Sequence, residues 1–329
     1  MTALSVLDLC SVREGGSIAE ALQNSVSLAQ HTEALGYRRY WLAEHHNFPG
    51  IASAATSLVI GHVAAGTKTI RVGAGGIMLP NHSPLQIAEQ FGTLEALHPG
   101  RIDLGVGRAP GTDMVTVNAL RRNLDGDVNQ FPRDVLELLR FLGEPEPGQA
   151  VVATPGAHSH VPVWILGSSL FGAQLAASLG LPYAFASHFA PAQMQEAIEL
   201  YRHRFTPSQF LDTPYVMLGF NVIAADTTDE AEYLASLVRR GFVNLRRGTP
   251  GKLQPPADNY LETLSPSDHA LLSQIMVCSA VGDAALVSEK LERFIEQTGA
   301  DELMIASQIY SHEARLRSYD ILMKAATAL

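Results

Sequence analysis

Arg108 closes the glycine-rich run Gly105-Val106-Gly107-Arg108, and two histidines stand side by side in Glu44-His45-His46-Asn47. A guanidinium is permanently charged and its fork of donors matches phosphate oxygens, so Arg108 is a candidate phosphate ligand. Pairing with a loop carboxylate such as Asp113 is the alternative. Histidine titrates near neutrality, which makes His45 and His46 candidates for general acid or base. Adjacent histidines also serve as metal ligands, although no HExxH and no HxH on the first strand accompanies them, and as ordinary packing residues. Gly75-Gly76 leaves a face without side chains where a flat group can lie against the backbone; a tight turn accounts for the pair equally well. Ser168-Ser169, ahead of an apolar helical run, offers an anion the free N–H groups and dipole of a helix start, or simply caps that helix. His188 lines a pocket or is an ordinary loop histidine, while His158 and His160 lie in a polar loop and read as solvated. The Gly105-x-Gly107 spacing is not a dinucleotide fingerprint, because Pro110 replaces the third glycine and no helix follows at once.

These residues need strands and helices to bring them together, and the chain supplies an alternation of both. Residues 4–9, 39–43, 70–76, 102–106, 163–166, 183–186, 215–224 and 302–306 read as strands, the seventh the longest. Helices are expected over residues 17–35, 53–65, 83–98, 133–142, 170–179, 191–205, 228–240, 284–298 and 313–326. Ser17 with Glu20, and Ser83 with Gln86 behind Pro84, have the spacing of capping boxes, and Gly36 is a natural stop. Residues 110–132, 143–162 and 241–281 read as long irregular connections. Eight strands alternating with helices predict an α/β fold, a (β/α)8 TIM barrel over residues 1–329 as one domain, with insertions in the loops after strands 4 and 7. An open doubly wound sheet is the competitor, since strand count does not prove closure. In either fold the ends of the strands carry the ligand, so His45, Gly75, Gly76, Arg108, Ser168 and Ser169 converge on one mouth.

Composition narrows the function classes. Hydrophobic residues are 47% and charged residues 17% of 329, suited to a well-buried enzyme core, and the net charge of −10 argues against nucleic-acid and anionic-membrane surfaces. Cys10 and Cys278 are far apart without a CxxC, so neither a disulfide framework nor a structural zinc is expected, and a reducing compartment fits. No positive leader precedes the first apolar run, and the most apolar window, residues 51–65, is too short to span a bilayer and contains His62. The expectation is a cytoplasmic protein.

Three stretches, WLAEHHNFPG at residues 41–50, LPNHSPLQIAEQ at 79–90 and LEALHPGRIDLGVGRAPG at 94–111, resemble the bacterial luciferase-like flavin monooxygenases. The resemblance covers most of the chain. It implies a barrel whose mouth binds reduced FMN, supplied by a separate flavin reductase, for oxygenation of a small organic substrate with molecular oxygen. It places His45 on the family's catalytic histidine and His46 on its neighbour, with Glu44 an orienting or structural carboxylate. It implies a non-proline cis peptide at or beside Gly75–Gly76, against one face of the flavin. Arg108, Ser168 and Ser169 fall on positions that hold the FMN phosphate. Residues 241–279 correspond in place to the family's mobile loop after strand 7, and part of that segment, around residues 246–256, is expected to form a lid or to be poorly ordered without ligand. A homodimer is also implied. One departure is Gly107, where the luciferase catalytic subunit has a reactive cysteine, which leaves light emission and aldehyde handling open. The rivals are a deazaflavin-dependent oxidoreductase that transfers hydride without oxygen, a flavin-binding protein without catalysis, and a metal-dependent barrel hydrolase built on His45 and His46. No metal is expected, and the substrate stays unidentified.

Overall fold

In the computed structural model, which describes residues 2–109, 114–120 and 130–327, a parallel sheet closes on itself. Its strands are β1 (Ala3–Asp8), β2 (Arg39–Leu42), β3 (Arg71–Met78), β4 (Ile102–Gly107), β5 (Val163–Gly167), β6 (Tyr183–Phe185), β7 (Val216–Ala224), β8 (Ser279–Gly282) and β9 (Glu302–Ala306). The ring runs β1 through β7 and then β9, which pairs back onto β1. This is the expected closed (β/α)8 barrel, with β9 as its eighth stave. The ninth strand, β8, is a correction: it lies within residues 241–281, read from sequence as irregular, and pairs with the second half of β7 at Asn221–Ala224. Four residues with one buried face give too short an alternation to stand out.

The helices α1 (Ile18–Leu35), α2 (Thr56–Gly66), α3 (Pro84–Leu97), α4 (Met114–Leu120), α5 (Phe131–Leu142), α6 (Leu170–Leu179), α7 (Met194–Arg204), α8 (Thr228–Arg246), α9 (Pro266–Ile275), α10 (Ala284–Thr298) and α11 (His312–Thr327) cover the strands. Local chemistry sets most of their ends. Ser17 accepts the Glu20 N–H and Gly36 turns left-handed at φ 86° to stop α1. The expected boxes are not completed: Ser83 makes no side-chain capping bond, and the Glu20 carboxylate pairs with Arg13 instead. A complete capping box stands at Ser265 and Asp268, opening α9. Three further differences lie in the long connections, where α8 continues past residue 240 to Arg246, α9 forms within residues 241–281, and α4 interrupts the loop after β4.

Side-chain alternation along the strands separates two apolar regions. Leu4 and Val6 point outward into the main core between sheet and helices, together with Leu28, Ile60, Phe91 and Leu322. Inward-facing Leu7, Trp41, Trp164, Met217 and Met304 fill the middle of the barrel, where the two indoles meet edge to face with centroids 5.3 Å apart. Beneath them, at the N-terminal end of the strands, lies a buried ionic layer. Asp103 accepts from Arg39 at 2.7 Å, Arg71 at 2.7 and 2.9 Å and the Trp41 indole at 3.2 Å. Glu302 accepts from Arg39 at 3.0 Å, Tyr215 at 2.9 Å and Ser5. Every carboxylate oxygen in this layer has a donor, the condition under which buried charge is tolerated. The barrel is therefore plugged below and open above.

Candidate functional site

Above the two tryptophans the inward positions become glycine: Gly75 and Gly76 on β3, Gly107 on β4 and Gly219 on β7. Together with the loops they leave a cavity of about 470 Å³, within the range of roughly 300–1,000 Å³ usual for small-molecule sites. Its walls are mainly apolar, with Leu9, Phe48, Phe171, Phe189 and Phe242 among them.

All the sequence-derived candidates except His46 line this cavity: His45, Gly75, Gly76, Arg108, Ser168, Ser169 and His188. The Gly75–Gly76 bond is a non-proline cis peptide, at the expected place. A Cβ on Gly76 would meet the Gly105 carbonyl at 2.7 Å, so the backbone of β3 lies too close to β4 for any other residue. Glu44 fastens the His45 loop to that turn. Its N–H donates to the Gly76 carbonyl at 3.4 Å, and its Oε2 accepts the Met78 N–H at 2.9 Å. Its other oxygen accepts from His46 at 2.7 Å and from His82 at 2.9 Å. Burial pushes the Glu44 carboxyl up, but the bonds from His82, His46 and Met78 outweigh it and hold the pKa below the ordinary glutamate value. His46 thus belongs to a triad with Glu44 and His82, whose ligand atoms lie within 4.8 Å of one another. The triad's hydrogen bonds account for that clustering, and His45 is not among its members, so the residue pair of the hydrolase reading is divided between two environments. His82 was not singled out in the sequence; it precedes α3 and nothing in its spacing relates it to Glu44.

His45 packs edge to face on Phe48 at 5.7 Å, and its Nδ1 is buried without a hydrogen-bond partner. Burial lowers its pKa, with Glu44 opposing and His46 adding to the effect. His188, in the loop after β6, has the same character: Nδ1 buried and unpartnered, and pKa pushed down to about 4 by burial and then by the nearby His45. Its position is fixed from β7. Asn221 donates to the His188 carbonyl at 2.5 Å, Ser187 donates to the Gly219 carbonyl at 2.7 Å, and a Cβ on Gly219 would lie 2.1 Å from His188 Nδ1. The site therefore holds two neutral imidazoles at pH 7, each with a nitrogen for which the protein provides no partner.

Arg108 is exposed and lies over the Phe171 ring at 4.2 Å. It makes no salt bridge with a described residue; Asp113, its alternative partner, falls outside the described residues. Ser169 is the N-cap of α6, yet its side chain makes no capping bond. The α6 N-terminus, two serines and one unpaired guanidinium thus share one wall, a donor set suited to phosphate. These residues fit a flavin mononucleotide: a donor-rich wall for its phosphate and glycine backbone beside which a ring can lie.

Residues 250–254 lie over the mouth. Leu253 bridges Arg13, with Leu253 N–H donating to the Val12 carbonyl at 2.9 Å and Glu14 N–H donating to the Leu253 carbonyl at 2.8 Å. The expected lid is thus present as an ordered flap tied to the loop after β1. The flap residues Lys252 and Gln254, with Arg240 on α8, line the cavity. No motif marked them, because only the closed barrel and the returning flap bring residues 240–254 above residue 45. The two cysteines are elsewhere, both buried and free.

A family model described as luciferase-like monooxygenase matches residues 3–302. An Escherichia coli (strain K12) protein described in the same words is 53% identical over 321 residues, covering 98% of this chain and 96% of that one. The N-acetyl-S-alkylcysteine monooxygenase of Bacillus subtilis (strain 168) is 32% identical over 339 residues, covering 100% and 99%. Among solved structures, apo-MsnO8 superimposes with a TM-score of 0.92 at 35% identity, over 100% of this chain and 99% of the other. The oxygenating constituent of 3,6-diketocamphane monooxygenase from Pseudomonas putida, solved with FMN, shares the fold at a TM-score of 0.72 and 18% identity, over 98% of this chain and 97% of the other.

Proposed function

The chain belongs to the luciferase-like monooxygenase family, and from that premise we propose that it is an FMN-dependent monooxygenase of a small organic substrate. The observation that supports this reading most is the meeting, in one largely apolar cavity, of a phosphate-type donor set with a neutral, unpartnered His45. Arg108, Ser168, Ser169 and the α6 N-terminus hold the phosphate, and Gly75–Gly76 provides the surface beside the ring. Bound in reduced form, the flavin supplies the electrons that activate oxygen. The protein's own part is positional and protic. Glu44 fixes the His45 loop, the His45 imidazole takes up or returns a proton, and the flap over residues 250–254 excludes water from the reacting atoms. His188 stands beside the same reacting region as a substrate-facing group.

The cavity offers no nicotinamide-binding fingerprint, so the reading includes a separate flavin reductase, and with it a cytoplasmic setting; the family resemblance adds a homodimer. Among the described residues no helix is long and apolar enough to cross a membrane. The test is a pair of binding titrations. FMN is expected to bind at least tenfold more tightly than riboflavin, which lacks the phosphate, and Arg108→Met should remove most of that difference. Equal binding of FMN and riboflavin would remove the phosphate site. Tight binding of a deazaflavin with no binding of FMN would turn the reading to hydride transfer.

A further inference from the structure

Charge around the cavity is distributed in a way the flavin does not account for. The chain carries 33 acidic and 23 basic side chains, yet among the described residues the cavity is lined by no aspartate or glutamate at all. Its charged lining residues are Arg108, Arg240 and Lys252. Arg108 sits with the serines after β5, and one phosphate can occupy it. Arg240 and Lys252 belong to the other side. Lys252 is next to Leu253, which is tied to the loop after β1, and the closed strand order puts β1 four strands from β5 in either direction. A phosphate held at Arg108 leaves these two cations unneutralised.

Lys252 is exposed at the rim of the cavity, whereas Arg240 is half-buried and held by the flap. Arg239 pairs with Glu232 and Arg247 with Asp268 at 2.8 Å, so two cations close to Arg240 in sequence are matched to carboxylates. Arg240 is half-buried and takes only neutral acceptors, the Gln254 amide oxygen at 2.9 Å and the Pro255 carbonyl at 3.3 Å, while its guanidinium lies 5.1 Å from the Tyr260 ring centroid. Those contacts use Nη1, and the guanidinium also bonds the Tyr260 side chain, so Arg240 is held in place by neutral groups alone. They also tie Arg240 to the flap that carries Lys252, so closing the flap and assembling the two charges are one event. Asn244, one turn further along α8, and Gln308, beyond β9, add neutral polar groups to the same lining. The remainder of that lining is apolar, with Leu237, Val238, Phe242 and Leu245.

We propose that Arg240 and Lys252 form the specificity site for a carboxylate on the substrate, so that the enzyme acts on small organic acids with an apolar body. A planar carboxylate matches the donor fork of a guanidinium that has only neutral partners, and Lys252 adds a second positive charge. Neutral aldehydes and alkanes would leave the half-buried Arg240 without a charged partner, which disfavours them. This rests on the reading of Arg108 and the serines as the flavin phosphate site, and it deepens that reading by naming the substrate class.

The test uses octanoate and octanamide, which share chain length and differ in charge, titrated into the full-length FMN-loaded protein. Octanoate is expected to bind at least tenfold more tightly than octanamide. The double variant Arg240→Met with Lys252→Met should bring octanoate down to the octanamide value and leave FMN binding unchanged, which also reports that the variant is folded. Equal or undetectable binding of the two ligands to the unmodified protein overturns the proposal without recourse to any variant. So does loss of octanoate binding in Arg108→Met but not in the double variant, which would place the anion in the phosphate site. If FMN fails to bind while octanoate still discriminates against octanamide through Arg240 and Lys252, the flavin reading falls and the carboxylate site stands.

Discussion

The two imidazoles carry the residue-scale claims. His45 is kept neutral by burial, with its Nδ1 unpartnered. Replacing it by Asn is expected to lower turnover about 100-fold or more while sparing flavin affinity, consistent with the roughly 10²–10⁴ typical of a general acid or base. Unchanged turnover would move the proton chemistry to another group. Because the lowered pKa lies beneath the ordinary histidine value of about 6.5, the acid limb of the rate profile should also lie below that value. His188 gives a stability test whose sign follows from linkage. Its folded pKa is about 4 and its unfolded value about 6.5, so between these the unfolded chain binds a proton that the folded one refuses. The stability present above pH 6.5 is therefore lost as pH falls towards 4. His188→Gln should flatten urea-derived stability across that window, whereas the lowered carboxylates such as Glu44 act at lower pH. An equally steep profile in the variant would show that His188 is not held neutral.

At the scale of elements the flap is the part that matters most for excluding water. Gly50 faces it closely enough that an added Cβ would lie 2.3 Å from the Gly251 carbonyl. Gly50→Ala is therefore expected to lift the flap, raising protease cleavage within residues 247–256 and releasing more hydrogen peroxide per product. Identical cleavage and coupling would mean that the flap does not seal the site. The sequence made the strand ends legible because each carries its own chemistry: Ser169 opens α6, Arg108 follows β4, and Gly75-Gly76 stand near the end of β3. It made the flap legible only as a long insertion, since the Leu253 bridge to Arg13 joins segments 240 residues apart with no local signature. His82 escaped notice for the same reason, as its partner Glu44 lies on another strand's loop. The short strand β8 was missed because its pairing with β7 is decided by the fold, not by its four residues.

Over the whole molecule the barrel separates stability from function along its axis. The ionic layer of Arg39, Arg71, Asp103 and Glu302 fills the N-terminal end, and the cavity occupies the other. Asp103→Asn would leave Arg71 without its carboxylate and Arg39 with Glu302 alone, and is expected to destabilise by about 3–5 kcal/mol, the usual effect of breaking a buried pair. Flavin affinity should be little changed, because the tryptophan layer stands between. A fall in affinity as large as the fall in stability would deny that separation. The central claim concerns the other end of the barrel, and one measurement addresses it directly. The protein is titrated anaerobically with reduced FMN and then mixed rapidly with oxygenated buffer while the flavin absorbance is followed. The expected result is saturable binding near one flavin per chain, followed by an oxygen-dependent transient that free reduced FMN does not give. Reduced FMN that fails to bind, or that binds and is then oxidised as free flavin is, would contradict the assignment as a flavin monooxygenase.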